Sequence, residues 1–173
     1  MSTSKPEIII IAAVSRNNVI GVEGKIPWQI REDMEHFREM TVHHPVVMGR
    51  VTYESIPRRF RPLAERHNLV LTGDTSFHEP GVQVARSLED AIDVLQERSV
   101  FREGIDYSKV FIGGGQKVYE TAMAYATSLE ITRVDQHVEG INMRYFPKID
   151  PWQWKLHKVE LRVGHSFVTY QKR

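Results

Sequence analysis

The sequence predicts a single-domain α/β fold: a mostly parallel central sheet flanked by helices, with an antiparallel hairpin at its C-terminal end. Three observations carry that prediction. Ile8 to Val14 is isoleucine-rich and apolar on both faces, as a central strand covered on both sides must be. Short apolar runs then alternate with segments of helical period, the pattern of strands joined by helical crossovers. Toward the C-terminus the character changes, because Trp154 to Val163 and Ser166 to Gln171 read as strands joined by Gly164-His165, a glycine-first two-residue turn. A length of 173 residues, 41% of them hydrophobic, suits one core and would cramp two.

Residues 1–6 are polar, end in Pro6 and are expected to form a loose tail ahead of a domain over residues 7–173. After the first strand comes a long loop, Ser15 to Ile30, containing Gly21, Gly24 and Pro27; loops of that length inside a small domain are usually functional. Arg31 to Thr41 places Met34, Phe37 and Met40 at helical spacing, with Glu32 and Asp33 in the first turn where the helix dipole favours negative charge. Val46 to Met48 is a short strand ending at Gly49, and Arg50 to Ile56 is a short helix stopped by Pro57. Strands follow at Asn68 to Thr72 and Val82 to Ala85. A helix then runs from Leu88 to about Glu97, with Ser87 as N-cap and Asp90 at capping-box spacing. Residues 99–108 form a polar insertion. The strand Lys109 to Ile112 enters Gly113-Gly114-Gly115, then a helix through about Tyr125, then the strand Leu129 to Val134.

Composition excludes several functional classes. With 23 basic and 22 acidic residues the net charge is +1, so no overall field favours nucleic acid or an anionic membrane, and a small discrete ligand is the default. No cysteine is present, which removes disulfides, thiolate metal sites and thiol nucleophiles and fits a cytoplasmic location; no metal-ligating cluster is expected. The run Ile8 to Val14 is far short of the roughly 20 residues that span a bilayer, and Ser15-Arg16-Asn17-Asn18 after it is no signal-peptide cleavage site. A monomer is the default state.

Three constellations could carry chemistry. Asp33 sits just beyond the loop, in the first turn of a helix whose buried face is expected to be marked by Met34 and Phe37. Its alternatives are a helix-end acid that only complements the dipole, or a carboxylate accepting two coplanar bonds from a pterin or pyrimidine, which presents an exocyclic amine beside a ring N–H. Gly113-Gly114-Gly115 follows a strand and opens a helix, so it is either a tight turn or a phosphate cradle in which backbone N–H groups and the dipole meet an anion. It is neither G-x-G-x-x-G nor a P-loop. Met48-Gly49-Arg50-Val51-Thr52 repeats the strand–glycine–helix arrangement, and two such ends from one sheet could hold the two ends of a dinucleotide, with Arg50 on a phosphate or simply solvated.

Together these residues resemble the dihydrofolate reductase family from about Ile8 to the C-terminal hairpin. The stretches that carry the resemblance are Val19-Ile20-Gly21, Pro27-Trp28 with Asp33, Met48-Gly49-Arg50-Val51-Thr52, and Gly114-Gly115-Gln116-Lys117-Val118-Tyr119, in that order and spacing. The resemblance implies reduction of dihydrofolate to tetrahydrofolate with NADPH, by hydride transfer to pterin C6 and protonation of N5, and a site that takes antifolate-type ligands. It implies that Ile20 to Trp28 forms a mobile lid, that Asp33 is the ionisable group beside the pterin, that Trp28 holds a water there and that Thr132 bonds the carboxylate. Ile11, Ala13, Met34, Phe37, Ile56 and Leu63 would be apolar walls around substrate, Arg66 would pair with the α-carboxylate of its glutamate tail, and Tyr119 would face nicotinamide and pterin. Arg58, Arg59 and Arg61 would attract further glutamates or be a solvated basic loop. Cofactor contacts would come from Ala13, Ile20, Gly49, Arg50, Val51, Thr52, Thr72, Arg86, Gly114, Gly115, Gln116, Lys117 and Val118, with Gly114 and Gly115 joined by a cis peptide.

Three positions depart from that family. Gly113 stands where isoleucine, valine or alanine is usual, which would widen the pocket. Ile141-Asn142-Met143 follows Gly140 where an aspartate normally latches the lid, leaving Asn142 as the candidate substitute. Gly73 lacks a side chain used near the cofactor 2′-phosphate, leaving Arg50 and Arg86 to select NADPH. The competing readings are a related reductase of a pterin or riboflavin pathway and a nonenzymatic nucleotide- or folate-binding module.

Overall fold

The isoleucine-rich run forms β1 (Glu7–Val14) at the middle of the sheet, in a computed structural model that describes residues 4–173. Its alternating side chains feed two cores: Ile8, Ile10, Ala12 and Val14 enter one, Ile9 and Ile11 the other. Parallel neighbours on its two sides are β6 (Lys109–Ile112) and β7 (Ser128–Val134). The sheet continues past β6 through β3 (Pro45–Gly49), β4 (His67–Leu71) and β5 (Val82–Ala85), all parallel. Past β7 lies the antiparallel pair β10 (His165–Lys172) and β9 (Trp154–Leu161), giving the order β5-β4-β3-β6-β1-β7-β10-β9. The mostly parallel sheet with an antiparallel hairpin is therefore as read from the sequence. Of the expected N-terminal tail, residues 1–3 lie outside the described residues, and residues 4–6 carry no regular secondary structure.

Among the described residues four α-helices connect the strands: α1 (Arg31–Thr41), α2 (Arg50–Ser55), α3 (Leu88–Val94) and α4 (Gln116–Ala122). Ser87 caps α3 as expected, its Oγ accepting from the Asp90 N–H at 3.1 Å. Both α3 and α4 end earlier than their periodicity predicts, because the next amides bond three residues back, Gln96 to Asp93 and Tyr125 to Ala122, and the chain tightens out of the α-helix. Met34 does not mark the buried face of α1; it is 64% exposed, and Phe37, Met40 and Thr41 face inward instead.

Three further differences have local causes. The hairpin loop is Val163-Gly164, one residue earlier than predicted, because the Arg162 N–H bonds the His165 carbonyl at 2.9 Å. Glycine is thus second in the turn, with φ 79°. The long loop contains β2 (Val19–Val22), which pairs antiparallel with β8 (Met143–Tyr145) in a second small sheet; neither strand is legible in the sequence. Beyond β2 the chain turns at Glu23 and Gly24, both at positive φ, between Val22 and Lys25. The insertion over 99–108 is docked: the Tyr107 hydroxyl meets the His67 Nδ1 at 2.7 Å, and its ring stacks on Phe101 at 4.0 Å. Burial, then the nearby Arg102 charge, pushes His67 down to about 4, so this anchor is a neutral imidazole at physiological pH.

Candidate active site

The strand ends that precede the glycine turns, at Gly49 and Ile112, lie on the same C-terminal edge of the parallel sheet, where ligands of open α/β folds sit. Asp33 reaches this region from the first turn of α1, a helix start with no side-chain cap, where a carboxylate complements the free N–H groups. The Thr132 hydroxyl on β7 donates to Asp33 Oδ1 at 2.6 Å, whereas Oδ2 accepts from no described residue. Burial raises the Asp33 carboxyl above its ordinary value, while the Thr132 bond and the charges of His36 and His165 pull the other way. Ala13 sits beside Thr132 in the register of β1 and β7, and packs in one cluster with Trp28. Trp28 is buried, and its indole N–H is a donor with no partner among the described residues, which suits a bound water or ligand.

Tyr119 is buried on α4, and its hydroxyl donates to the Ile11 carbonyl at 2.8 Å. Burial first, then the Asp33 charge, pushes its phenol well upward, so it stays protonated. Ile11, Phe37, Ile56 and Leu63 share one apolar cluster, while Met34 stays outside it. Arg66 donates from Nε to the Ala64 carbonyl at 2.8 Å and from a terminal nitrogen to Thr41 Oγ1 at 3.2 Å. Among the described residues no carboxylate pairs with it, so an oriented guanidinium is left to meet an anion. Two residues that sequence reasoning missed build this corner. Buried Thr41 holds Arg66, and buried Asn68 bonds the backbone of Leu63 and Arg66. A polar residue inside the apolar strand His67–Leu71 was the available signal for Asn68.

The two glycine turns meet, the Gly49 N–H donating to the Gly114 carbonyl at 2.8 Å, and the Gly114-Gly115 peptide is cis as the resemblance implied. A Cβ on Gly114 would lie 3.1 Å from the Tyr119 ring, and one on Gly115 would lie 3.1 Å from Thr52 Oγ1. Both contacts are tighter than ordinary packing, and Gly114 also has φ 107°, a conformation that favours glycine. Gln116 ties it to the small sheet, its Oε1 accepting from the Tyr145 N–H at 2.9 Å, and Val118 packs against Gly49. Val51 and Lys117 are exposed. Thr72 bonds back to the Ala85 carbonyl at 3.0 Å, which places exposed Arg86 next to it. Arg50 is engaged: it bonds Glu54 at 3.0 Å and Asp74 at 2.8 Å, and lies over the Phe77 ring. Ser76, through its hydroxyl and N–H, and then Arg50 hold Asp74 down at about 2. An incoming phosphate would share Arg50 with two carboxylates. Among the described residues no group of acids and histidines could hold a metal ion, and no helix is long and apolar enough to cross a membrane.

The family model described as dihydrofolate reductase matches residues 7–172. The chain belongs to the dihydrofolate reductase family. The dihydrofolate reductase HdrB of Haloferax volcanii is 37% identical over 166 residues, covering 95% of this chain and 83% of that one. That of Schistosoma mansoni is 42% identical over 161 residues, covering 88% and 83%. Among solved structures, the dihydrofolate reductase of Enterococcus faecalis, complexed with NADP(H) and RAB-propyl, superposes with a TM-score of 0.81 at 28% identity over 98% of both chains.

Against the dihydrofolate reductase pattern, two departures have structural answers. A Cβ on Gly113 would make ordinary contacts, 3.7 Å from Val46 Cγ1 and 3.9 Å from Met48 Cε, so an alanine methyl is accommodated there. The exposed Asn142 makes no side-chain hydrogen bond with any described residue and does not replace the missing acid. Backbone pairing of β2 with β8 ties the loop instead, together with Asn17, which bonds the Val138 carbonyl at 2.7 Å and the Val138 N–H at 3.0 Å.

Proposed function

We propose that the protein reduces 7,8-dihydrofolate to 5,6,7,8-tetrahydrofolate with NADPH, the activity of its family, and that it does so through the site described above. The observation that carries the assignment of the site is the Asp33 carboxylate: half-buried, fixed on one oxygen by Thr132 and open on the other, with Ala13 beside Thr132 packing in one cluster with Trp28, whose indole N–H is unpartnered. A pterin offers the matching pair of donors, and the carboxylate accepts both in one plane. When bound, NADPH supplies the hydride that goes to pterin C6.

The chain's own groups do the rest. Gly49, Gly114 and Gly115 would form the backbone cradle for the dinucleotide, and Arg50, Thr52, Thr72 and Arg86 would supply its polar contacts. Ile11, Phe37, Ile56 and Leu63 supply an apolar wall that excludes water, and exposed Met34 is a side chain for substrate to cover. Arg66, held by Thr41, is placed for a carboxylate on the substrate tail. Tyr119 remains a neutral donor to Ile11 and serves position rather than proton transfer. Asp33 holds the ring and supports proton delivery to N5 through the water that Trp28 would retain. Action as a cytoplasmic monomer without nucleic acid fits the near-zero net charge and the absence of cysteine, and completes the reading.

The deciding assay is oxidation of NADPH on adding dihydrofolate, run beside NADH and beside a pyrimidinone substrate. Dihydrofolate-dependent turnover that favours NADPH is expected. Turnover of the pyrimidinone alone would move the protein to the riboflavin-pathway reading, and no turnover would leave a binding module.

A further inference from the structure

On the side of α1 facing the C-terminal hairpin, a ring of ionisable groups surrounds Phe167. The His36 ring, one turn beyond Asp33, stacks on Phe167 with centroids 4.1 Å apart and planes 22° from parallel. His165 meets Phe167 edge-on at 5.3 Å, and its Nε2, otherwise unpartnered, lies 3.5 Å from Glu32 Oε2. Arg162 bonds Glu32 at 2.6 Å, approaches Glu160 at 3.6 Å and places its guanidinium 5.5 Å from the Phe167 centroid. Phe167 is the cross-strand neighbour of Thr132, the residue that bonds Asp33. Contacts therefore run in a closed circuit: Asp33 to Thr132, Thr132 to Phe167, Phe167 to His36, and His36 back along one helical turn to Asp33.

We infer that His36 is a positioning residue for the reductase reaction, through which the charge cluster around Phe167 controls the protonation of the cleft carboxylate Asp33. His36 faces Asp33 and Glu39 from its own helix, Glu160 from β9 and Arg162 from just ahead of the hairpin loop; Asp33 faces His36, His165 and Tyr119. Burial moves the two groups toward one another, lowering the imidazole and raising the carboxyl, while the charge of each acts on the other. Two such groups titrate as a pair rather than independently. A proton on His36 favours the Asp33 carboxylate, and loss of that proton, as pH rises, weakens this support. The stack on Phe167 holds the imidazole where this coupling operates without a direct hydrogen bond.

The inference rests on Asp33 being the carboxylate of the reaction, and the test separates the two. Carboxyl-carbon NMR of the full-length protein without ligands follows Asp33 from acid to neutral pH. The wild-type signal is expected to show two steps, its own and that of His36. His36→Phe keeps an aromatic stack and removes the charge; the step that belongs to His36 is expected to vanish, with the carboxyl midpoint higher by about half a pH unit or more. His36→Gln gives the same result should the first variant fold poorly. Single-turnover hydride transfer is then measured across pH, and its midpoint is expected to move with the carboxyl while its plateau is retained. An Asp33 titration identical in wild type and a folded variant overturns the inference. So does a lower plateau with an unmoved midpoint, the mark of a purely structural role. A coupled titration that the rate profile ignores would instead overturn Asp33 as the carboxylate of the reaction.

Discussion

At the carboxylate end of the cleft, Asp33 and Thr132 are 99 residues apart in sequence and meet side chain to side chain. At the glycine end, Gly49 and Gly114 meet through backbone N–H and carbonyl, and what matters about Gly114 and Gly115 is the Cβ each lacks. The first end depends on charge and hydrogen bonding at a half-buried carboxylate, and the second on volume and backbone torsion. A change that preserves shape but alters charge should therefore be severe at the first and a single methyl should be severe at the second.

Asp33→Asn tests this most directly. Dihydrofolate reduction at neutral pH is expected to fall roughly a hundredfold or more, and reduction of a preprotonated substrate to fall less, as stopped-flow NADPH oxidation would show. Equal loss for both substrates would break the assignment of proton support to Asp33. The same variant has an opposite effect on the fold. Burial raises the Asp33 carboxyl, so the folded state binds its proton more tightly than the unfolded chain does, and stability falls as pH rises from the ordinary carboxyl value through the raised one. Above that window Asp33→Asn should melt at or above the wild-type temperature, and below it the advantage should vanish. A variant that is less stable at neutral pH would contradict the burial account.

Next in size is Gly114→Ala, where the new Cβ would stand 3.1 Å from Tyr119 at a residue with φ 107°. It is expected to lose roughly 1–3 kcal/mol of stability by urea denaturation and to weaken NADPH binding in a fluorescence titration; normal affinity would show that the cradle tolerates volume. Thr132→Val keeps the shape and removes one bond to a charged group, worth about 1.5–3 kcal/mol. The Asp33 midpoint should move further up and kcat/KM should fall roughly tenfold, with a change in KM alone arguing against the hydrogen bond. The smallest effect belongs to Gly113→Ala, one residue from the severe position but with contacts at 3.7 Å or longer. Stability and NADPH affinity should be nearly unchanged, and a large loss would show that the glycine end cannot be read from local volume.

Much of this molecule was legible without its fold, but unevenly. Ile8 to Val14 announced a central strand because burial on both faces leaves no polar alternation, and the bounds of α1 matched because its acidic first turn and apolar spacing are local signals. The β2–β8 pair was invisible because each strand is short and its partner lies more than a hundred residues away. Thr41 and Asn68 were missed because a lone polar residue states its role only when its partner is adjacent in space. Met34 was misplaced because helical periodicity gives a face but not what covers it.

By itself the sequence determined the order of the helices and of the strands of the main sheet, and the positions of the glycine turns, since periodicity, caps and missing side chains act over a few residues. Through its ordered motifs it also pointed to the dihydrofolate reductase family. Only the tertiary structure decided that the Asp33 carboxyl is raised, that Arg50 is already shared between Glu54 and Asp74, and that His36 lies one turn and one aromatic ring from the carboxylate. Proton affinity and ion pairing depend on burial and on the distance to charges elsewhere in the chain, and those quantities exist only once the chain has folded.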